Sequence, residues 1–453
     1  GGNWLALAYQ WRGELSMSGN VSYLPAFPLL LASLLSIFSP LAALVTAAIV
    51  SKWLLTLATY WCLRELGRLP AALTAVLLGL AAYQLEAYAW GAYPQLLATA
   101  AGLVATYLAV RFVREGVRAD LAWSLAAAAV IFATHKLVAA LLVVALPASL
   151  LASTGVRGVS RARVRLLLVI SGPAVLGIFS ALQWMREAQA GARPVINPLD
   201  LGLSVALQAT LREAFVPWVI VAAAAALALA RRSSWRWGFD TATSIGLGWA
   251  MAGSGFFLAS GEQRALLLAQ LGLVMAAAAN FSRWRVEAAA RSPAPSAALA
   301  IAGLSMLGSI SVTGLASFSD ATDWYRVVDE EDLKALRDLR QFSQPGDVVV
   351  ASRGRNGNQV GWWVQGYVRR PTYSAVDARF LTFPEEQAQA KLAERLFSGE
   401  LGESQTMSLL EEIEARFIVV DRRGPDGDWL PHSKELDLRK VYDSQSLVIL
   451  EVP

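Results

Sequence analysis

Charge is scarce in this chain. Only 16% of its 453 residues are Asp, Glu, Lys or Arg, while 55% are hydrophobic. Soluble domains average about 25% charged residues, so the composition excludes a wholly soluble protein and implies a membrane protein with a soluble part attached. Cysteine is nearly absent: Cys62 stands alone in an apolar run, which rules out an intrachain disulfide and gives no reading of redox compartment. With two histidines there is no metal-spaced Cys/His set. A Gly-rich phosphate loop and a Ser–His–acid triad are missing too, which removes the common soluble-enzyme motifs. Internal repeats are absent, and low complexity is confined to Ala-rich stretches such as Val221–Ala230. The chain opens Gly-Gly-Asn rather than Met, with no charged segment ahead of an apolar one, so a segment is expected upstream of Gly1.

The charge that is present is unevenly split. From Asp320 onward there are 24 acidic and 17 basic residues, a net of −7, and the residues before carry +11. The pI near 9.2 is therefore set by basic loops between apolar runs, and the acidic tail argues against a nucleic-acid partner. Spanning helices are predicted at 41–62, 69–85, 92–112, 120–133, 136–153, 164–184, 214–231, 240–258, 263–282 and 296–316. Pro25–Phe38 is too short for a hydrocarbon core roughly 30 Å thick at about 1.5 Å per residue, and reads as an interfacial or re-entrant helix. Arginines cluster at Arg64/Arg68, Arg111/Arg114/Arg118, Arg157/Arg161/Arg163/Arg165, Arg231/Arg232/Arg236 and Arg283/Arg285/Arg291. All five clusters fall on one side only if 118–153 crosses twice, with a break at Thr134-His135-Lys136. The positive-inside rule thus selects ten spans. It puts Glu86, His135, the 185–213 loop, Arg264 and the tail on the outer side.

The tail changes character. Glu330–Phe342 has an amphipathic helical pattern, Gln344-Pro345-Gly346-Asp347 a turn, and Val348–Ser352 a strand. Gly361–Tyr367 reads as a strand, Pro384–Phe397 as a helix opening on Pro with Glu385 and Glu386 in its first turn, Arg416–Asp421 as a buried strand, and Lys440–Val452 as a hairpin around Asp443-Ser444. Helix–strand alternation implies a small α/β domain.

Polar groups near a membrane interior are costly, so each needs an account. Leu85–Leu97, LEAYAWGAYPQLL, places Glu86 among aromatics and helix breakers. It fits a plain helix end with an interfacial aromatic belt. It also fits a site wall where Gly91 allows close approach and Tyr88, Trp90 and Tyr93 stack on a sugar or lipid headgroup. His135 fits a satisfied interface residue, or with Lys136 a phosphate-binding pair. Arg264, after Gly261-Glu262-Gln263, fits an interfacial snorkeler or a phosphate clamp. Lys52 lies deep in the 41–62 run. In the tail, Arg353–Asn358 is a basic turn, and Trp362 and Trp363 are either core or a ligand-facing aromatic pair.

The layout as a whole resembles the GT-C superfamily of membrane glycosyltransferases, including oligosaccharyltransferases and protein mannosyltransferase-like prokaryotic proteins. Tyr23-Leu24-Pro25-Ala26-Phe27-Pro28 is similar to the Tyr-Pro-Pro-type segment that ends the family's first outer loop, with Leu24 and Ala26 departing from its tighter form. Trp90-Gly91-Ala92-Tyr93-Pro94-Gln95-Leu96 and Thr134-His135-Lys136 resemble motifs of prokaryotic members, and Gly261-Glu262-Gln263-Arg264 the segment whose Arg meets the lipid-carrier phosphate. Gly361–Tyr367 loosely resembles the Trp-Trp motif of oligosaccharyltransferase tails, without the Asp that follows it there.

The resemblance implies hexosyl or pentosyl transfer from a polyprenyl-phosphate sugar to an extracytoplasmic glycan or protein acceptor. It implies an acidic residue of the first outer loop as general base, and a divalent cation as a cofactor such enzymes can use. Here the Gly-x-Asp-x-like start carries Asn3, whose amide cannot accept a proton as a carboxylate does. Glu14 or Glu86 is left as the acid/base candidate. Phosphate or substrate binding falls to Arg264, His135 and Lys136, with Tyr88, Trp90, Tyr93, Gln95, Trp362 and Trp363 around them. The family's first helix would precede Gly1, or be supplied by a partner subunit.

The expected fold is an α-helical polytopic membrane protein of about ten transmembrane helices with a C-terminal extracytoplasmic α/β domain. Residues 1–40 would form an outer loop and interfacial helix, 41–318 the membrane domain and 319–453 the soluble domain of a prokaryotic cell-membrane protein. Three functions fit: a GT-C-like glycosyltransferase, a catalytically degenerate relative that binds lipid or glycan, and a transporter, for which Lys52 is the clearest intramembrane charge.

Overall fold

The computed structural model describes residues 2–14, 24–89, 91–189, 239–260, 264–289, 326–357, 360–375 and 384–453, with isolated positions at 308, 312, 315 and 318. The chain divides into two compact units. One comprises Gly1–Ala47, Met185–Ile196 and Thr322–Pro453; the other comprises Ala48–Trp184 and Asn197–Ala321.

The second unit is helical. Its elements are α3 (Pro40–Leu63, which begins in the first unit), α4 (Arg68–Gly79), α5 (Ala82–Ala89), α6 (Tyr93–Glu115), α7 (Arg118–Thr134), α8 (Lys136–Gln189, two helices joined across a kink at Gly155, φ 63°, ψ 171°), α9 (Thr241–Ser260) and α10 (Arg264–Ala289). Among the described residues, Pro40–Leu66, Tyr93–Glu115 and Lys136–Gly155 are long and apolar enough to cross a membrane. The predicted break at His135 is present: α7 stops at Thr134, His135 is extended (φ −155°, ψ 114°), and helix resumes at Lys136. The single span expected at 69–85 is replaced by two short helices. After Gly79 the backbone leaves the helix at Leu80, and α4 alone, 12 residues long, rises only about 18 Å. The runs 214–231 and most of 296–316 lie outside the described residues.

Small residues let these helices approach closely, as membrane packing favours. A Cβ on Gly246 of α9 would come within 2.5 Å of the Gly272 carbonyl of α10, and one on Gly248 within 2.5 Å of the Ala145 carbonyl of α8. Trp249, fully buried, lays its ring over Gly102 of α6 and donates its indole N–H to Thr106 Oγ1 at 3.2 Å.

The first unit holds α1 (Gly2–Trp11), the nine-residue α2 (Ala26–Leu34) where a short interfacial helix was expected, and an α/β domain. That domain runs α11 (Glu330–Phe342), β1 (Val348–Ala351), α12 (Val360–Trp363, continued as a π-turn over Val364–Val368), β2 (Thr372–Ser374), α13 (Pro384–Phe397), α14 (Glu403–Glu412), β3 (Ala415–Asp421), β4 (Arg439–Asp443) and β5 (Leu447–Glu451). The sheet order is β2-β1-β3-β5-β4; β1 is parallel to β2 and β3, and β5 is antiparallel to β3 and β4.

Both sheet faces are covered, which is why the strands read as continuous apolar runs. Val350, Ile418, Val420, Val448 and Leu450 pack with Leu396, Phe397 and Leu410 of α13 and α14. Their neighbours Val349, Ala351, Phe417, Val419, Leu447 and Ile449 pack with Leu336 and Leu339 of α11 and Val360, Val364 and Val368. The strand expected at Gly361–Tyr367 is helical instead. Val360, Val364 and Val368 are all buried at a spacing of four, which fits one face of a helix as well as one face of an alternating strand, so the pattern by itself does not decide between them. Gly361 lets the helix fit, because a Cβ there would strike the Ser374 side chain of β2.

Candidate functional site

Ion pairs and caps fix the direction of the helices in the helical unit. Gly116, left-handed at φ 80°, closes α6 by donating to the Phe112 carbonyl at 2.8 Å, and α7 turns back. The antiparallel register is held by Arg111–Asp120 at 3.6 Å and by Ser124 Oγ donating to the Ala105 carbonyl at 2.8 Å. At this end Arg114 donates to Thr241 Oγ1 (3.1 Å), to the Ser153 carbonyl (3.3 Å) and to the Phe239 carbonyl, Thr241 donates to Glu65 (2.7 Å), and Arg165 donates to the Val113 carbonyl (3.1 Å). Arg64 lies 5.2 Å from the Tyr107 ring centroid. Arginines from three of the predicted clusters, and the segment just after the fourth, therefore share one end of the bundle.

The other end gathers most of the predicted site residues. α7 returns beside α6, so the His135–Lys136 break lies at the level where α6 begins. There the Gln95 side chain, 1% exposed, donates through Nε2 to the backbone carbonyl of Arg264, the first residue of α10, at 3.4 Å. Its Oε1 is buried and has no partner among the described residues. Tyr88 and Tyr93 meet edge to face at 5.7 Å between centroids. Gly91, at φ 87°, terminates α5, with Gly91 N–H donating to the Tyr88 carbonyl (3.2 Å) and Ala92 N–H to that of Ala87 (2.9 Å). Glu86 lies within α5, but its side chain, Trp90 and Gly261–Gln263 fall outside the described residues. Lys52, for which the sequence offers no partner, donates to Gln84 Oε1 of α5 at 3.0 Å. Only the fold could show that pair, because both residues sit in apolar runs 32 positions apart.

The remaining candidates belong to the first unit. Asn3 is half-buried in the first turn of α1. The Glu14 carboxylate is committed to two guanidiniums, Arg12 and Arg369, each at 2.5 Å. Trp362 is half-buried, and Trp363 packs against the core beneath the sheet. Tyr23 lies outside the described residues. No group of three or more His, Cys, Asp or Glu side chains among the described residues is placed to hold a metal ion.

No family model matches the chain, and no curated protein matches it in sequence. Solved structures do match. ArnT from Cupriavidus metallidurans bound to undecaprenyl phosphate aligns over 100% of this chain and 93% of its own, at TM-score 0.55 and 14% identity. The fold is GT-C-like. The Archaeoglobus fulgidus oligosaccharyltransferase, tethered with an acceptor peptide containing the NVT sequon via a disulfide bond, aligns over 89% of this chain at TM-score 0.53 and 14% identity. This chain spans 61% of that enzyme's length. Among the described residues of the helical unit, Tyr88, Tyr93, His135, Lys136 and Arg264 lie toward one end, and Arg64, Arg111, Arg114 and Arg165 toward the other.

Proposed function

We propose that the chain transfers a sugar from a polyprenyl-phosphate-linked donor to a glycan or protein acceptor on the extracytoplasmic side of a cell membrane. The observation that carries this reading is the Gln95–Arg264 contact at the same bundle end as His135 and Lys136, on a fold shared with a protein bound to undecaprenyl phosphate. Cationic and N–H donors converging at a membrane-facing end suit a leaving lipid phosphate, whose charge grows as the glycosidic bond breaks. In the proposed step a carboxylate removes the acceptor proton, the acceptor oxygen or nitrogen bonds to the anomeric carbon, and the polyprenyl phosphate departs with the bonding pair. Glu86 is the carboxylate proposed for this, because Glu14 is already held by two guanidiniums.

A second reading has a specific observation behind it. Asn3 in place of the loop acid, with Glu14 engaged elsewhere, fits a degenerate relative that binds the lipid or glycan without turnover. A lipid-linked sugar transfer assay separates the two. Glu86→Gln is expected to lose about 10²- to 10⁴-fold in rate; an unchanged rate sinks the assignment. An inactive wild type that gains activity as Asn3→Asp would establish the degenerate reading.

A further inference from the structure

Among the described residues, three helices begin at the bundle end that holds Gln95: α6 at Tyr93, α8 at Lys136 and α10 at Arg264. α7 runs antiparallel to α6 and delivers the start of α8 there, and the Gln95–Arg264 contact delivers that of α10. Helix starts carry positive partial charge, because their first N–H groups have no intrahelical partner. Lys136 and Arg264 add two formal charges. This end is a place of donors, suited to a phosphate.

One buried atom there has the opposite polarity. Gln95 is 1% exposed, and its Oε1 has no hydrogen-bond partner among the described residues. Turning the amide round does not cure this. Nε2 donates to the Arg264 carbonyl at 3.4 Å, and a carbonyl only accepts, so the reversed amide would set oxygen against oxygen. Thr99, one turn further along α6, donates its hydroxyl to the Gln95 backbone carbonyl at 2.7 Å, so its single donor is not offered to Oε1. An acceptor stranded in this way is costly until something donates to it. A lipid phosphate cannot. The phosphodiester of a polyprenyl-phosphate sugar carries no proton at neutral pH, and its oxygens only accept. The sugar beside that phosphate carries hydroxyls, each of them a donor. Tyr88 and Tyr93, half-buried and edge to face at 5.7 Å, supply apolar ring surface at the same end.

We propose that Gln95 determines specificity for the donor sugar: its side-chain carbonyl accepts a hydrogen bond from a sugar hydroxyl, while Lys136, Arg264 and the helix starts hold the phosphate. This rests on the transferase reading above. The experiment measures, in detergent, the Kd of the full-length wild type, Gln95→Met and Gln95→Leu for four diesters of undecaprenyl phosphate: methyl, mannosyl, glucosyl and arabinosyl. The methyl diester has the same charge and no sugar. Wild type is expected to bind at least one glycosyl diester about tenfold tighter or more than the methyl diester. Both variants are expected to lose that preference while holding the methyl diester as wild type does. Lys136→Gln is expected instead to weaken all four alike. Without ligand, Gln95→Met is expected to melt no lower than wild type, since it removes a stranded acceptor and nearly keeps the side-chain volume. A preference that survives in the variants would overturn the proposal. So would equal losses for methyl and glycosyl diesters with a lower melting point, which would leave Gln95 a packing residue between α6 and α10. A wild type that holds methyl and glycosyl diesters equally overturns the sugar contact but not the lipid-phosphate site. A wild type that binds none of the four ends the transferase reading, and the proposal with it.

Discussion

At Gly102 the helical unit leaves room for a hydrogen and nothing more. A Cβ there would lie 2.6 Å from the Trp249 ring, which is fully buried and held by Thr106. Gly102→Ala is therefore expected to cost about 1–3 kcal/mol through overpacking, read as a lower thermal midpoint in detergent. A second residue-scale test concerns Arg423, which donates to Asp329 (2.9 Å), Asp332 (2.7 Å) and Asp421 (2.9 Å), the last two fully buried. Burial opposes ionisation of Asp329, yet the Asp332 N–H and the Arg423 charge outweigh it and hold its carboxyl below the usual range. The stability this contributes is present above about pH 4, the unfolded value, and is lost as pH falls through the lower folded value. Arg423→Gln strands two buried carboxylates, for an expected loss of about 3–5 kcal/mol at neutral pH. It should also flatten the acid limb, which a denaturation series between pH 7 and pH 3 would read. A sequence reader could see Asp329 and Asp332 as a helix start, but not that an arginine 91 positions from Asp332 would meet them.

The domain's elements were mostly legible because local chemistry and tertiary context agree. Glu330–Phe342 and Pro384–Phe397 form as read, the first closed by reciprocal bonds between Asp329 and Asp332. The hairpin around Asp443-Ser444 pairs β4 with β5 as expected. The 360–368 segment was misread because V-G-W-W-V-Q-G-Y-V carries both periods, and its aromatic, β-branched composition favours a strand. Packing decided for the helix, with Gly361 seated against Ser374 and Ala351. Gly361→Ala is accordingly expected to lift the segment from β1 and β2 and destabilise the domain by about 1–3 kcal/mol. Near-wild-type thermal unfolding of that variant would contradict this packing account.

At the largest scale, three of the five arginine clusters, at Arg64, Arg111/Arg114 and Arg165, share one end of the bundle, and the other two lie outside the described side chains. The break at His135 and the Arg111–Asp120 and Arg114–Thr241 contacts agree with this arrangement. Labelling tests the membrane side. In a Cys62→Ser background, Val117→Cys and Gln263→Cys are expected to react with a membrane-impermeant reagent from opposite faces of sealed vesicles, Val117→Cys from inside. Reaction of both from one face would refute the antiparallel crossing.

The sequence alone determined the largely helical, apolar character of the chain, the helix break at His135 and most elements of the α/β domain, because hydropathy and turn chemistry act within a few residues of their cause. It also named the site candidates Glu86, His135 and Arg264. Tertiary structure decided what depends on distant partners: that Gln95 reaches Arg264, that Lys52 finds Gln84, that Glu14 is spent on Arg369, and that 360–368 coils rather than extends. Each is a contact between groups far apart in the chain, where local propensity is silent and only packing and charge pairing choose.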